Sequence, residues 1–172
     1  PGWVQALIIA NLYIKSGQYR RGLVVGADVL SRSADPYDRD TMIYADGAGA
    51  VIVEASERET PAGILSHAIE TDATNAGFLV SGTSLNREIK NNELFVQMQG
   101  HKVYVYALMN VPRVVKRSLQ LAGLTLSEVK KVLIHQANQK MDQAILERIF
   151  KLYKIKEIPE NIIMEDNGVK FK

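Results

Sequence analysis

The chain has 172 residues, 47% apolar and 23% charged, with 21 Lys and Arg against 19 Asp and Glu and a formal net charge of +2. That balance fits a globular protein able to bury a core, and nothing in it advertises nucleic-acid or membrane binding. There is no cysteine, which excludes disulfides and thiolate metal sites. No run of about 18 apolar residues marks a membrane span, and the apolar opening lacks the basic leader of a signal peptide, so cytoplasm is the expected compartment.

Residues 3–16 are apolar nearly all round (Trp3, Val4, Leu7, Ile8, Ile9, Leu12, Ile14), which predicts a helix buried on every side. Gly17 is its expected stop. Leu23-Val24-Val25-Gly26-Ala27 and Val51-Ile52-Val53-Glu54-Ala55 read as buried strands. Between them lies a polar loop around Asp35-Pro36. Residues 56–61 are charged and contain Pro61, the composition of a connection between two subdomains. Residues 63–70 read as a strand and 71–100 as a long loop, the kind that is usually functional or poorly ordered.

Lys102 to Ala122 has helical spacing, with Pro112 inside it and Gly123 at its end; a kink is expected at the proline. Thr125-Leu126-Ser127-Glu128 has capping-box form. A strand over 131–135 should follow, then a helix from Gln139 to Tyr153 with Asn138 as N-cap. Glu147 and Lys151 are spaced for a pair on that helix. Alternating apolar strands and helices imply an α/β fold with largely buried sheets. Without an initiator methionine at Pro1, or a closing strand after Asn167-Gly168, both ends read as truncated.

Chemistry concentrates at His135-Gln136-Ala137-Asn138. A histidine leaving a buried strand just before a helix lies where sites form on α/β folds. The positive helix terminus favours neutral imidazole, which can donate to a developing oxyanion. A core histidine bonded to a backbone carbonyl satisfies the same pattern. Asn138 is fully accounted for as an N-cap. Asp46-Gly47-Ala48-Gly49 lacks the third glycine of a dinucleotide loop and leads into a strand, so it reads as a tight turn. Arg39, in an acidic loop, could hold a phosphate or simply be solvated. His67 and His101 have no partner pattern. Ser31, Ser81 and Ser84 sit in no nucleophile elbow. No metal-ligand spacing appears.

Taken together, His135-Gln136-Ala137-Asn138, Leu23-Val24-Val25-Gly26-Ala27-Asp28-Val29-Leu30-Ser31-Arg32, Asp35-Pro36-Tyr37-Asp38-Arg39, Asp46-Gly47-Ala48-Gly49-Ala50 and Met98-Gln99-Gly100-His101-Lys102-Val103-Tyr104 resemble the β-ketoacyl-acyl carrier protein synthase III family. The resemblance runs from Pro1 to about Ile163. It implies a thiolase-like α-β-α-β-α layered fold, truncated at both ends, with residues 1–56 ending the N-terminal half and 61–172 beginning the C-terminal half. It implies a condensing acyltransferase of fatty-acid biosynthesis: acyl transfer from coenzyme A to a cysteine, then decarboxylative condensation with malonyl-acyl carrier protein.

By the same resemblance the nucleophilic cysteine belongs immediately before Pro1, at the N-terminus of helix 3–16, where the helix dipole favours a thiolate. His135 matches the family histidine that stabilises the enolate oxygen. Arg39 matches a contact to the nucleotide end of coenzyme A. Gly100, Tyr104, Ala137 and Asn138 match positions along the pantetheine tunnel. Lys140 falls where the family often has an arginine facing the carrier protein, with the charge kept but not the fork geometry.

The family's second asparagine lies in a Gly-Asn-Thr-Ser or Gly-Asn-Ser-Ser motif. Here the text reads Asp166-Asn167-Gly168-Val169, so that role is not carried onto Asn167. Partners implied are acyl-coenzyme A, as substrate, and acyl carrier protein; no further cofactor or metal is implied, and the full-length family is homodimeric. The 172 residues by themselves are expected to be inactive. Two other readings stand beside the enzyme: a non-catalytic family subunit or carrier-protein-binding module, and a starter condensation in secondary metabolism, for which Trp3 either shapes the acyl pocket or anchors its helix.

Overall fold

Gly22, Val24 and Gly26 alternate along one edge of an apolar run, and alternation in a strand puts them on one face. In the computed structural model that face receives the first helix. The structure describes residues 2–57, 62–89, 92–136, 138–159 and 162. They divide into two units, the first formed by residues 1–67 with 79–98 and the second by 68–78 with 99–172.

In the first unit, helix α1 (Gly2–Lys15) leads to strand β1 (Arg21–Val29), which pairs antiparallel with β2 (Asp46–Glu54). The register sets Arg21 opposite Glu54 and Val24 opposite Val51. Arg21 Nε bonds Glu54 Oε2 at 2.9 Å across the ladder. The small residues of β1 admit α1 closely. Ala10 Cβ lies 3.6 Å from where a Cβ on Gly22 would stand, and Trp3 covers Gly26 at 3.0–3.2 Å from such an atom. A Cβ at position 26 would require the indole to give way by a few tenths of an ångström. Val24 and Ile8 are buried at this contact. Gly17, with φ of 75°, ends the helix as expected.

The outward side of this layer departs from the sequence expectation. Of the α1 residues only Ile8 is buried, while Val4, Ile9, Leu12 and Tyr13 are exposed. Leu23 of β1 is 68% exposed. Both strands were expected to be buried on two faces. Among the described residues one helix packs on a two-stranded ladder, so alternate side chains along the first part of β1 point to solvent and every residue of β2 but the half-buried Val53 is exposed.

The loop between β1 and β2 is held by carboxylates. Ser31 donates to Asp46 from its N–H at 2.8 Å and from Oγ at 2.5 Å. Asp38 opens a single 3-10 turn (Arg39–Ile43) by accepting from the Asp40 N–H at 2.9 Å. Asp35 is 1% exposed and accepts from the N–H of Tyr37 (3.0 Å), the N–H of Leu85 (2.6 Å) and Ser84 Oγ (3.1 Å). It thereby ties the loop to the segment after β3 (Leu79–Gly82), which pairs antiparallel with β4 (Phe95–Met98). These two strands lie within 71–100, where the sequence suggests only loop. Their four-residue length leaves little alternation to read. The strand expected over 63–70 is absent: residues 62–70 have no regular structure, and no described segment pairs with them.

In the second unit, Tyr104, Leu108, Val111, Val115 and Leu119 recur at helical spacing and form one stripe of α2 (Gly100–Ala122). The helix is continuous through the buried Pro112, which removes the N–H that would bond the Leu108 carbonyl. Gly123, at φ of 69°, closes it: its N–H bonds the Gln120 carbonyl at 3.1 Å, and the Leu124 N–H bonds Leu119 at 3.0 Å, a paired terminal motif that suits glycine. Thr125 and Glu128 form the capping box, with the Thr125 N–H on Glu128 Oε2 at 2.8 Å, over one 3-10 turn.

Helix α3 (Gln139–Leu152) packs on α2 through Ile145, Leu146, Ile149 and Phe150. Glu147 accepts from Gln143 Nε2 at 3.1 Å, in place of the pair with Lys151 that the spacing suggests. The strand expected over 131–135 reduces to one bridge, the Val132 N–H on the Ile162 carbonyl at 2.7 Å, because the described residues supply no longer partner. The residues around Asn167 lie outside the described residues.

Two outcomes test this packing. Ile149 is 1% exposed at the centre of the α2–α3 contact, so Ile149→Ala should lower unfolding free energy by about 2–5 kcal/mol in chemical denaturation. Burial works to raise the Asp35 pKa, but hydrogen bonds from Leu85, Tyr37 and Ser84 outweigh it and hold the carboxyl below its ordinary value. A depressed folded pKa gives stability that is complete above the unfolded value of about 4 and is lost as pH falls through the folded value. Denaturant midpoints should therefore drop below about pH 4, and Asp35→Asn should be weaker at neutral pH with a flatter acid limb.

Candidate functional site at the start of the last helix

Asn138 has extended backbone geometry (φ −168°, ψ 151°), and its side-chain oxygen accepts from the Met141 N–H at 2.9 Å. The same residue's carbonyl takes the N–H groups of Met141 and Asp142, each at 3.1 Å. This N-cap fixes where α3 begins, and with it the positive end of the helix. His135 lies three residues upstream and is exposed. The segment entering it is pinned from below: Ile134 and Val132 pack on the helical core. An exposed imidazole on an anchored segment beside a helix N-terminus can donate to an oxyanion or exchange a proton. The core-histidine alternative does not hold, because the ring is at the surface.

Asp142 was not singled out by sequence. It is 8% exposed, and its Oδ1 has no hydrogen-bond partner. Burial pushes its carboxyl pKa up, and the nearby His135 charge works the other way. A readable signal existed: Asp142, Ile145, Leu146 and Ile149 share one helical face by their spacing, so the carboxylate stands in the apolar stripe.

The other expected site residues divide between the units. In the second unit, Gly100 opens α2 and Gln99 precedes it as N-cap. Tyr104 is half-buried against the core one turn later. Lys140 is exposed in the first turn of α3. Ala137 lies outside the described residues. Arg39 belongs to the first unit, where its exposed guanidinium pairs with Asp40 at 3.8 Å, a contact that leaves most of its donors available. A shallow open depression of about 420 Å³ lies at the far end of α3, beside Lys151, Lys154 and Lys156, and holds none of these residues. No group of three or more His, Asp or Glu suited to a metal occurs among the described residues, and no described helix is long and apolar enough to cross a membrane.

Comparison with known proteins bears on this arrangement. The family model for 3-oxoacyl-[acyl-carrier-protein] synthase III matches residues 1–73. The β-ketoacyl-[acyl-carrier-protein] synthase III of Streptococcus equi subsp. zooepidemicus is 37% identical over 153 residues, covering 86% of this chain and 46% of that protein. The crystal structure of 3-oxoacyl-(acyl carrier protein) synthase III from Pseudomonas aeruginosa superposes with a TM-score of 0.79 at 25% identity, over 96% of this chain and 48% of that one. The enzyme of the same name from Aquifex aeolicus gives 0.77 at 30% identity, over 94% and 47%. The chain thus spans about half the length of the curated relatives it matches. Over that span its α/β architecture is that of the thiolase-like condensing enzymes, and its sequence is similar to β-ketoacyl-[acyl-carrier-protein] synthase III.

Proposed function

We propose that the protein carrying this chain is a condensing acyltransferase that joins an acyl thioester to malonyl-acyl carrier protein in fatty-acid biosynthesis. The observation that carries the reading is the exposed imidazole of His135 on an anchored segment, next to a helix N-terminus capped by Asn138. In the proposed reaction an acyl group moves from coenzyme A to a cysteine thiolate, with the coenzyme thiolate as leaving group. Malonyl thioester then loses carbon dioxide, and the electrons of the broken carbon–carbon bond form an enolate. His135 donates a ring N–H to the enolate oxygen, where charge develops most. The enolate carbon attacks the acyl-cysteine carbonyl and the cysteine thiolate leaves. None of the 172 residues is a cysteine, and no side chain of this chain is assigned as the nucleophile.

The binding roles follow the same reading. Arg39, exposed and only loosely paired, suits the phosphates at the nucleotide end of coenzyme A. Gly100, Tyr104, Ala137 and Asn138 are assigned to the pantetheine arm, and Lys140, exposed on α3, to an acidic carrier protein. A cytoplasmic homodimer that needs no cofactor beyond its acyl-coenzyme A substrate completes the proposal.

Replacing His135 separates the two half-reactions. His135→Ala should cut the condensation rate with malonyl-acyl carrier protein by about 10²–10³-fold, the usual effect of losing one oxyanion donor. Transfer of radiolabelled acyl groups from coenzyme A to the protein should persist. Wild-type condensation by the variant would overturn the assignment.

A further inference from the structure

We propose that Asp35 is the positioning residue for Arg39: its buried carboxylate fixes the backbone from which the guanidinium meets the phosphates of acyl-coenzyme A. The inference rests on the coenzyme-binding role assigned to Arg39.

A run of hydrogen bonds joins the two residues. The Asp35 carboxylate accepts the Tyr37 N–H at 3.0 Å, and the Asp35 backbone carbonyl accepts the Asp38 N–H at 3.0 Å. Asp38 then caps the 3-10 turn that Arg39 opens. Its side chain takes the Asp40 N–H at 2.9 Å, and its carbonyl takes the N–H (3.1 Å) and Oγ (2.7 Å) of Thr41. Arg39 thus has bonded backbone on both sides. The far anchor is a separate stretch of the same unit: the Leu85 N–H at 2.6 Å and Ser84 Oγ at 3.1 Å on the same carboxylate. Ser84 Oγ is itself oriented, since it accepts the Asn86 N–H at 3.1 Å. A turn bonded only to its own neighbours can rock as a body; one tied to a second segment is held.

The guanidinium has no comparable support of its own. It is 94% exposed, and its ion pair with the half-buried Asp40 is 3.8 Å long. Its place is therefore set by the backbone beneath it. A donor already held where the ligand needs it loses less freedom on binding. Asp35, at 1% exposed, is shielded from a ligand and acts through Arg39. Charge alone predicts the opposite sign: a carboxylate near a phosphate site repels the ligand, so its removal would tighten binding, whereas loss of positioning weakens it.

Acylation kinetics of the protein that carries this chain separate these effects, measured with acyl-coenzyme A and with acyl-pantetheine, which lacks the nucleotide and its phosphates. Arg39→Ala should raise the KM for acyl-coenzyme A about tenfold, the loss of one charge-assisted contact. Asp35→Asn should raise the same KM about three- to tenfold, with kcat and the KM for acyl-pantetheine unchanged. In an Arg39→Ala background it should add nothing further, because the two act as one unit. Ser84→Ala removes one donor and leaves the carboxylate charged. It should give a smaller rise in the same direction, and it carries the test if Asp35→Asn does not fold.

An unchanged or lowered KM for acyl-coenzyme A in Asp35→Asn or Ser84→Ala, beside a raised one in Arg39→Ala, overturns the positioning role and leaves that of Arg39 standing. Equal rises on both substrates also overturn it, since they mark a general loss of structure. An unchanged KM in Arg39→Ala is the separate failure of the coenzyme-binding reading, and the proposal falls with it.

Discussion

The bond from the Met141 N–H to the Asn138 side chain, 2.9 Å long, decides most of what the second unit can do. An N-cap sets the residue at which helical geometry begins. Begin α3 one residue later and its buried stripe rotates by about 100°, so that Ile145, Leu146 and Ile149 no longer face α2. The same choice of start keeps His135 outside the helix and places Asp142 inside its first turn. Packing and chemistry therefore share one constraint. The core holds the helix in phase, and the cap converts that phase into a defined place for an imidazole and a carboxyl group.

The first unit uses a different device. Its ladder and helix meet through glycines and alanine, and the contact with Trp3 leaves little room for a side chain at Gly26. The loop from 30 to 44, which carries Arg39, is tied to that layer through Ser31 and Asp46. There Asp35 collects three donors from two stretches of chain far apart in sequence. A buried carboxylate is costly unless its hydrogen bonds are made, and here they are made by backbone and hydroxyl groups, not by a cation. In that loop the exposed guanidinium of Arg39 lies 3.8 Å from the half-buried Asp40 carboxylate.

Much of this was legible in the sequence, and the boundary between legible and hidden is physical. The helices α2 and α3 followed from their apolar period, and their ends from Gly123 and Asn138, because such signals are local. The strand faces were not legible. Leu23-Val24-Val25 looks the same whether one face or two are covered, since coverage depends on other elements. The pairing of Phe95–Met98 with Leu79–Gly82 escaped for a similar reason: four residues show no period. Of the site, His135 and Asn138 stood out because they interrupt a pattern. The tether at Asp35 depends on Ser84 and Leu85, about fifty positions away, and no window on the sequence joins them.

Asp142 was visible and passed over, and it is the instructive case. A carboxylate at an apolar stripe position contradicts the local rule that built the helix. Natural sequences break such rules mainly where function asks for it. The raised pKa and the unpaired oxygen indicate that the group weakens the fold at neutral pH. The same helix start that orders the core also sets a buried acid in the first turn of α3 and leaves His135 exposed upstream of it.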